Sequence, residues 1–375
     1  MHSAYGRALS VGCLLFLFLL GVKGLGSGFR LFGETLVGGF FAATENPFVG
    51  LVVGLLATTL VQSSSVTTAM IVALVAAPEY PLPLANAIPM IMGANIGTTV
   101  TATLVSLAHM RRQEEFSRAF PVAICHDIFN YFCVLLLLPL EMATGFLRRL
   151  AVSFSSLLTD LGGIDFESPL VVVLDVGLLP VRGLTEFLFS SNVAQGFFMS
   201  ATSALLIFSA LVMLVKVLRS SVGDRVDNVV NNVLGQNAIV SIAVGILVTI
   251  MVQSSSITTS IMVPLAGAGL LKLEQAFPVT IGANIGTTVT ALLAAMAVSG
   301  PNASFGLQIA LVHLFFNLSG LLLIYPVTIM RKIPLELARI FTKLAMRSRK
   351  LTVFWIAILF YGLPALFIIV AEALR

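Results

Sequence analysis

Apolar positions in this chain come in long runs rather than in the narrow stripe of a surface helix, and Phe120 to Leu140 and Leu351 to Val370 are two clear examples. Such runs exceed the roughly ten-residue alternating segments of a membrane barrel strand. They match the ~20 residues a helix needs to cross a hydrocarbon core about 30 Å thick. Because backbone polar groups must be satisfied inside a bilayer, only helices and closed barrels span it. The pattern therefore predicts an all-α membrane protein, a polytopic helical bundle. Leu9 to Leu20, after the basic start of His2 and Arg7, also has the form of a signal peptide, but no small-x-small cleavage site follows. A retained first helix is expected, and no lipidation motif is read at either terminus.

The polar positions inside these runs recur. VQSSSVTT at Val61 to Thr68 returns as VQSSSITT at Val252 to Thr259, and GANIGTTVTA at Gly93 to Ala102 returns unchanged at Gly282 to Ala291. A weaker echo matches His126, Phe129, Asn130 and Pro139 with His313, Phe316, Asn317 and Pro326. Order and spacing agree between the copies, and the matched positions are mostly Gln, Ser, Asn, Thr and Gly, which hydrophobic bias does not produce. The chain reads as a duplicated unit. Residues 45–140 and 237–330 are the repeats; 1–44 hold an N-terminal helix and connector, 141–236 an outer segment, linking helix and cytoplasmic loop, and 331–375 a basic segment and last helix.

Composition agrees: 58% of the 375 residues are hydrophobic and 10% charged, against about 25% charged in a soluble domain. The net charge of +4 could suit nucleic acid, but its distribution points elsewhere. Arg7, Arg111, Arg112, Arg118, Lys216, Arg219, Arg225 and the cluster from Arg331 to Lys350 fall in segments that the positive-inside rule puts together in the cytoplasm. Glu141 to Asn192 then lies outside, and Lys23, Arg30 and Lys272 are hard to place. This assignment ends repeat one outside and repeat two inside, giving the inverted topology common in secondary transporters, with sites near the midplane. No nucleic-acid partner is expected. Cys13, Cys125 and Cys133 lack the spacing of a metal site or disulfide framework and read as packing residues.

Each apolar flank of QSSS is too short to cross alone, so a re-entrant hairpin is expected with QSSS at its tip. There the next half-helix points its unpaired N–H groups and positive dipole end at whatever lies opposite, an anion site that needs no cation. The hydroxyls of Ser63, Ser64, Ser65, Ser254, Ser255 and Ser256 add donors. GANIGTT, with Pro89 or Pro278 upstream, is expected to be an unwound helix offering backbone carbonyls, the Asn95 and Asn284 amide oxygens and the Thr98 and Thr287 hydroxyls to a small alkali cation. The alternative is that these small residues let helices pack closely and that Ser and Thr bond back to their own helix; duplication of both motifs in order weighs against it. His126 and His313 read as hydrogen-bonded packing, with proton carriage or ligation the alternative. Asp127, whose counterpart is Leu314, is an intramembrane carboxylate and a candidate cation ligand, while Glu34, Glu45, Glu141 and Glu186 are expected at interfaces.

QSSS at Gln62 to Ser65, GANIGTT at Gly93 to Thr99, HDxFN at His126 to Asn130 and LLPLE at Leu137 to Glu141, with Gln253 to Ser256, Gly282 to Thr288 and His313 to Asn317 in the second half, strongly resemble the type II sodium-dependent phosphate cotransporters. The resemblance spans about Leu9 to Val370. It implies sodium-driven symport of inorganic phosphate, the serines of both QSSS motifs holding phosphate and Gln62, Thr67, Asn95, Thr98, Asp127, Asn130, Gln253, Thr258, Asn284 and Thr287 binding sodium. In that family Asp after the first motif histidine marks members that move net charge, so Asp127 implies the electrogenic type, with three sodium ions per divalent phosphate. The outer segment is shorter than in animal members and lacks cysteine, and one apolar span follows Arg331 to Lys350, which together suggest a compact bacterial version in the inner membrane. No cofactor is expected beyond the coupling sodium ions, no transition metal, and no enzymatic activity. The oligomeric state is left open, a homodimer included. The competing functions are symport of another oxyanion or a carboxylate, a passive channel, and an intramembrane serine hydrolase. The last needs a unique nucleophile beside a base, which a duplicated serine triplet does not supply.

Overall fold

The structure, a computed structural model, describes residues 4–162, 169–233, 237–366 and 369. Among the described residues the regular elements are all helical: α1 (Ala4–Arg30), α2 (Gly33–Thr44), α3 (Pro47–Val61), α4 (Ser64–Val75), α5 (Leu84–Gly97), α6 (Val100–Leu107), α7 (Gln113–Thr144), α8 (Phe146–Gly162), α9 (Pro169–Leu188), α10 (Asn192–Val233), α11 (Ala238–Val252), α12 (Ser255–Gly267), α13 (Leu273–Ala295), α14 (Ala303–Ile324), α15 (Thr328–Arg347) and α16 (Arg349–Ala357). Six stretches among them are long and apolar enough to cross a bilayer: Gly6–Arg30, Leu84–Leu107, Gln113–Thr144, Asn192–Leu214, Leu273–Ala295 and Ala303–Ile324. The all-α polytopic architecture is therefore as the runs predict. In the last run, α16 passes into a π turn at Ile358–Gly362, and its end lies outside the described residues, as do His2 and the side chains of Glu34, Arg219 and Arg225.

Polarity is arranged for a hydrocarbon solvent. Leu60, Leu135, Phe187, Leu205 and Ile239 stand exposed on the outside, whereas Asn95, Asp127, Asn130, Asn284 and His313 are buried. Cys125 and Cys133 are buried and unpaired as packing residues; Cys13, in contrast to its expected place, is exposed on α1. Lys23, hard to place from sequence, pairs with Asp175 at 2.7 Å and ties α1 to α9, and Arg30 pairs with Glu79 at 3.3 Å.

The helices that carry the motifs are short and begin on defined caps. Asn46 and Asn237 each accept the backbone N–H two residues on at 2.9 Å, starting α3 and α11. At 15 and 12 residues in the first half, and 15 and 13 in the second, the paired helices are about 18–23 Å long, less than the ~30 Å of a hydrocarbon core. Each pair is joined by a Gln-Ser turn.

What seats these hairpins is backbone touching backbone. A Cβ on Gly54 would stand 1.9 Å from the Met90 carbonyl oxygen and one on Gly93 1.9 Å from that of Leu51, which lets α3 lie directly on α5. Gly245 and Gly282 do the same for α11 and α13, at 2.2 Å from the Val279 and 2.1 Å from the Ile242 carbonyl oxygens. Small residues that permit such close approach are the usual glue where lipid removes any hydrophobic drive between helices. Each hairpin's second helix then packs across the molecule: α4 lies on α13 and α14, and α12 lies on α6 and α7.

The unwinding expected at GANIGTT is not what the structure shows. In the second half α13 runs helically through Gly282 to Thr288, and in the first the helix is interrupted only at Thr98 and Thr99, both with right-handed helical dihedrals. The physical reason is twofold: the glycines are spent on the crossings, and the threonines return their hydroxyls to their own helices. Thr98 donates to the Ala94 carbonyl and Thr287 to the Ala283 carbonyl, at 3.0 Å each.

Gly54→Ala and Gly93→Ala should each lower the thermal unfolding midpoint of detergent-solubilised protein, by the equivalent of about 3 kcal/mol or more for an overpacked crossing. Gly183→Ala, whose Cβ meets nothing within 4 Å, should hold or raise it; equal behaviour of the three variants would contradict the crossing geometry.

Candidate functional site

Among the described residues the non-glycine positions with left-handed backbone are Gln62 (φ 57°) and Gln253 (φ 55°), the same residue of each motif. That conformation costs an L-residue about 1–2 kcal/mol, so something must hold it. Gln62 Nε2 donates to the Thr59 carbonyl at 2.5 Å while its Oε1 accepts from the Thr101 hydroxyl at 3.1 Å. Gln253 repeats this clamp with the Ile250 carbonyl at 2.7 Å and the Thr290 hydroxyl at 3.0 Å. Each glutamine thus ends its helix and pins the hairpin tip to the helix that follows or carries GANIGTT, α6 in the first half and α13 in the second.

The next residue turns the chain into the following helix. Ser63 and Ser254 are extended N-caps whose Oγ atoms accept from the Val66 and Ile257 N–H groups at 3.3 Å, and whose carbonyls accept the Thr67 and Thr258 hydroxyls at 3.2 Å. The N–H groups at the first positions of α4 and α12, those of Ser64, Ser65, Ser255 and Ser256, have no intrahelical acceptor by the geometry of a helix start. Ser64, Ser65 and Ser255 are buried and Ser256 is half-buried. Each tip therefore offers capped hydroxyls, free hydroxyls and a positive helix end in one place, an arrangement suited to an oxyanion.

Between the halves runs a chain of hydrogen bonds. His126 Nε2 bonds the Asn284 Oδ1 at 2.8 Å, which makes it the donor; Asn284 Nδ2 donates to Asn130 Oδ1 at 2.7 Å; Asn130 Nδ2 donates to the Asn95 carbonyl at 2.7 Å. Asn95 itself donates to the Ile91 carbonyl at 3.0 Å. Three predicted site residues, Asn95, Asn130 and Asn284, thus meet from α5, α7 and α13, and His126, expected to be a hydrogen-bonded packing residue, engages the amide oxygen of Asn284. Asp127 sits alongside, fully buried: its Oδ2 accepts from Thr103 at 2.9 Å, and its Oδ1 has no hydrogen-bond partner. A buried carboxylate between threonine hydroxyls is chemically suited to a small cation. His313 lies apart from this chain, buried, with Nδ1 unpartnered.

Sequence reasoning missed three threonines. Thr101 and Thr290, which clamp the glutamines, lie inside the identical decapeptides, so their repetition was visible. Thr103 has Leu292 as its counterpart just as Asp127 has Leu314; that paired departure between the copies was the available signal for their contact. Thr67 and Thr258 also differ between halves: Thr249 donates to the Thr258 hydroxyl at 2.9 Å, whereas the equivalent Thr58 hydroxyl is buried without a partner. Two cavities lie elsewhere, an apolar one of about 350 Å³ flanking α7 and a charged one of about 290 Å³ beside α15.

The chain is similar to known proteins over most of its length. A model of the Na+/Pi-cotransporter family matches residues 17–163 and 205–367. The sodium-dependent phosphate transport protein 2A of Rattus norvegicus is 34% identical over 94% of this chain and 66% of its own length. The sodium-dependent phosphate transport protein 2B of Homo sapiens is 31% identical over 96% of this chain and 64% of its own. The chain thus spans slightly less than two thirds of these relatives. No solved structure matches it. With more than half of its residues inside the family match, and both motif pairs within that match, the chain belongs to the Na+/Pi-cotransporter family.

Proposed function

We propose that this protein is a sodium-coupled symporter that carries inorganic phosphate into the cell by alternating access, in the inner membrane of a bacterium. The observation that carries the reading is the pair of Gln-Ser tips with one geometry, each ending in the positive end of a short helix, in a chain whose relatives are named sodium-dependent phosphate transport proteins. Phosphate is held by Ser63, Ser64, Ser65 and by Ser254, Ser255, Ser256, through hydroxyls and the first N–H groups of α4 and α12. Sodium binds at the oxygens nearby: Asp127 Oδ1, the Thr67 and Thr258 hydroxyls, and the amide oxygens of Asn95, Asn130 and Asn284, with the last released from His126 or shared with it. Gln62 and Gln253 act first as clamps that shape the tips. Sodium enters ahead of phosphate, since its charge offsets the desolvation of a divalent anion at depth. The two halves stand inverted, with re-entrant tips at the midplane, and rocking of one against the other exposes the site in turn. Asp127 gives the empty carrier a charge, and each net charge moved gains about 2.3 kcal/mol per 100 mV.

Transport by proteoliposomes and the stability of one variant test this. Phosphate uptake should require an inward sodium gradient and rise when the interior is made negative; equal uptake with potassium, or competition by sulfate as strong as by phosphate, would overturn the assignment. Ser64→Ala or Ser255→Ala should raise the phosphate KM about tenfold or more, the usual loss of a buried hydrogen bond to a charged ligand, and Asp127→Gly should retain uptake without its voltage dependence. Gln62→Gly removes the left-handed strain together with the clamp, so the unfolding midpoint should change little while uptake falls by about an order of magnitude; a variant that transports normally would deny the clamp its role.

A further inference from the structure

Beside the first turns of α15 a cavity of about 290 Å³ is lined by Glu274, Phe277, Tyr325, Arg331, Lys332, Leu335, Glu336 and Arg339. Its charges sort into two groups. Arg339 bridges both carboxylates, Glu274 and Glu336, and offsets one of their two charges. Arg331 and Lys332 have no carboxylate partner among the described residues and leave the cavity with one net positive charge. Arg331 is held over the face of Tyr325, 5.2 Å from the ring centroid, and Tyr325 in turn packs on Phe277 at 5.9 Å. A guanidinium held against a ring in this way, with a hydrogen bond to the same tyrosine, has less freedom to lose, and it carries five N–H donors, more than the tyrosine can use, for a phosphate oxygen.

The helix that forms the wall has the character of one lying at a membrane surface. On α15, Pro334, Leu335, Ala338, Thr342 and Ala345 are buried, and α7 is among the helices it packs against. Its outer side exposes Ile329, Leu337, Ile340 and Met346 among Lys332, Lys343 and Arg347. Large apolar side chains exposed among basic ones mark a helix seated at the level of lipid headgroups. We propose that this cavity binds the phosphate of an anionic phospholipid headgroup, held by Arg331 and Lys332, and that the lipid fastens α15 to α13 and α14. This site is separate from the Gln-Ser tips and does not depend on the transport reading.

The test uses the full chain in neutral detergent, with the unfolding midpoint followed as dioleoyl phosphatidylglycerol, dioleoyl phosphatidylcholine or inorganic phosphate is titrated in. Phosphatidylglycerol should raise the midpoint saturably and phosphatidylcholine should not. Exposed Lys332→Gln, which the fold tolerates, should weaken the apparent phosphatidylglycerol affinity about fivefold, the loss of one basic contact to an anionic lipid, and Arg331→Gln with Lys332→Gln should abolish the response. An unchanged response in both variants, or an equal response to phosphatidylcholine, would overturn the proposal. A shift produced by inorganic phosphate and lost in the double variant would overturn the lipid as occupant in favour of a free ion; one that both proteins share belongs to the tips and leaves the proposal standing.

Discussion

Water is missing from the middle of a bilayer, and that absence governs this structure more than any single contact. Every polar group placed there must find its partner in the protein or in a passenger. Most do: Thr98 at the end of α5 and threonines of α13 and α12 give their hydroxyls to carbonyls one turn back, and the asparagines bond to one another or to backbone. Several of those that do not, Thr58 Oγ1, Thr59 Oγ1, His126 Nδ1 and Asp127 Oδ1, lie in or beside the repeated motifs. An unsatisfied buried group costs about 1–3 kcal/mol, so these positions carry a cost that most polar groups of the bundle avoid.

The two halves carry the same words and use them unequally. Thr103 and Asp127, in contact in the first half, correspond to Leu292 and Leu314 in the second, two polar residues exchanged for two apolar ones. Helix α13 is continuous where its counterpart is divided into α5 and α6 at Thr98 and Thr99. A duplicated frame thus supports one electrically distinct half, which a perfectly symmetric frame could not provide.

Much of this was legible beforehand. The runs of apolar residues gave the helices, the recurrence of QSSS and GANIGTT marked the site segments, and the short flanks of QSSS foretold paired short helices. What the sequence hid was the use of its glycines. Gly93 and Gly282 at four-residue spacing from Gly97 and Gly286 suit both an unwound segment and a close crossing, and only the partner helix decides; the carbonyls of Leu51 and Ile242, standing where a Cβ would be, decide for the crossing. The left-handed glutamines were equally hidden, because no local rule favours Gln there. Their conformation follows from Thr101 and Thr290, which are distant in sequence and near only after folding.

The crossed seating of the hairpins bears on how such a chain could arise. Helix α4 belongs to the first copy by sequence but rests on α13 and α14 of the second, and α12 rests on α6 and α7 of the first. Each copy seats the first helix of its own hairpin but supplies only part of the surface that the second helix needs. A single-copy ancestor would have been complete only as a pair of chains, each completing the other, and fusion of the two genes would have turned a concentration-dependent assembly into an intramolecular one.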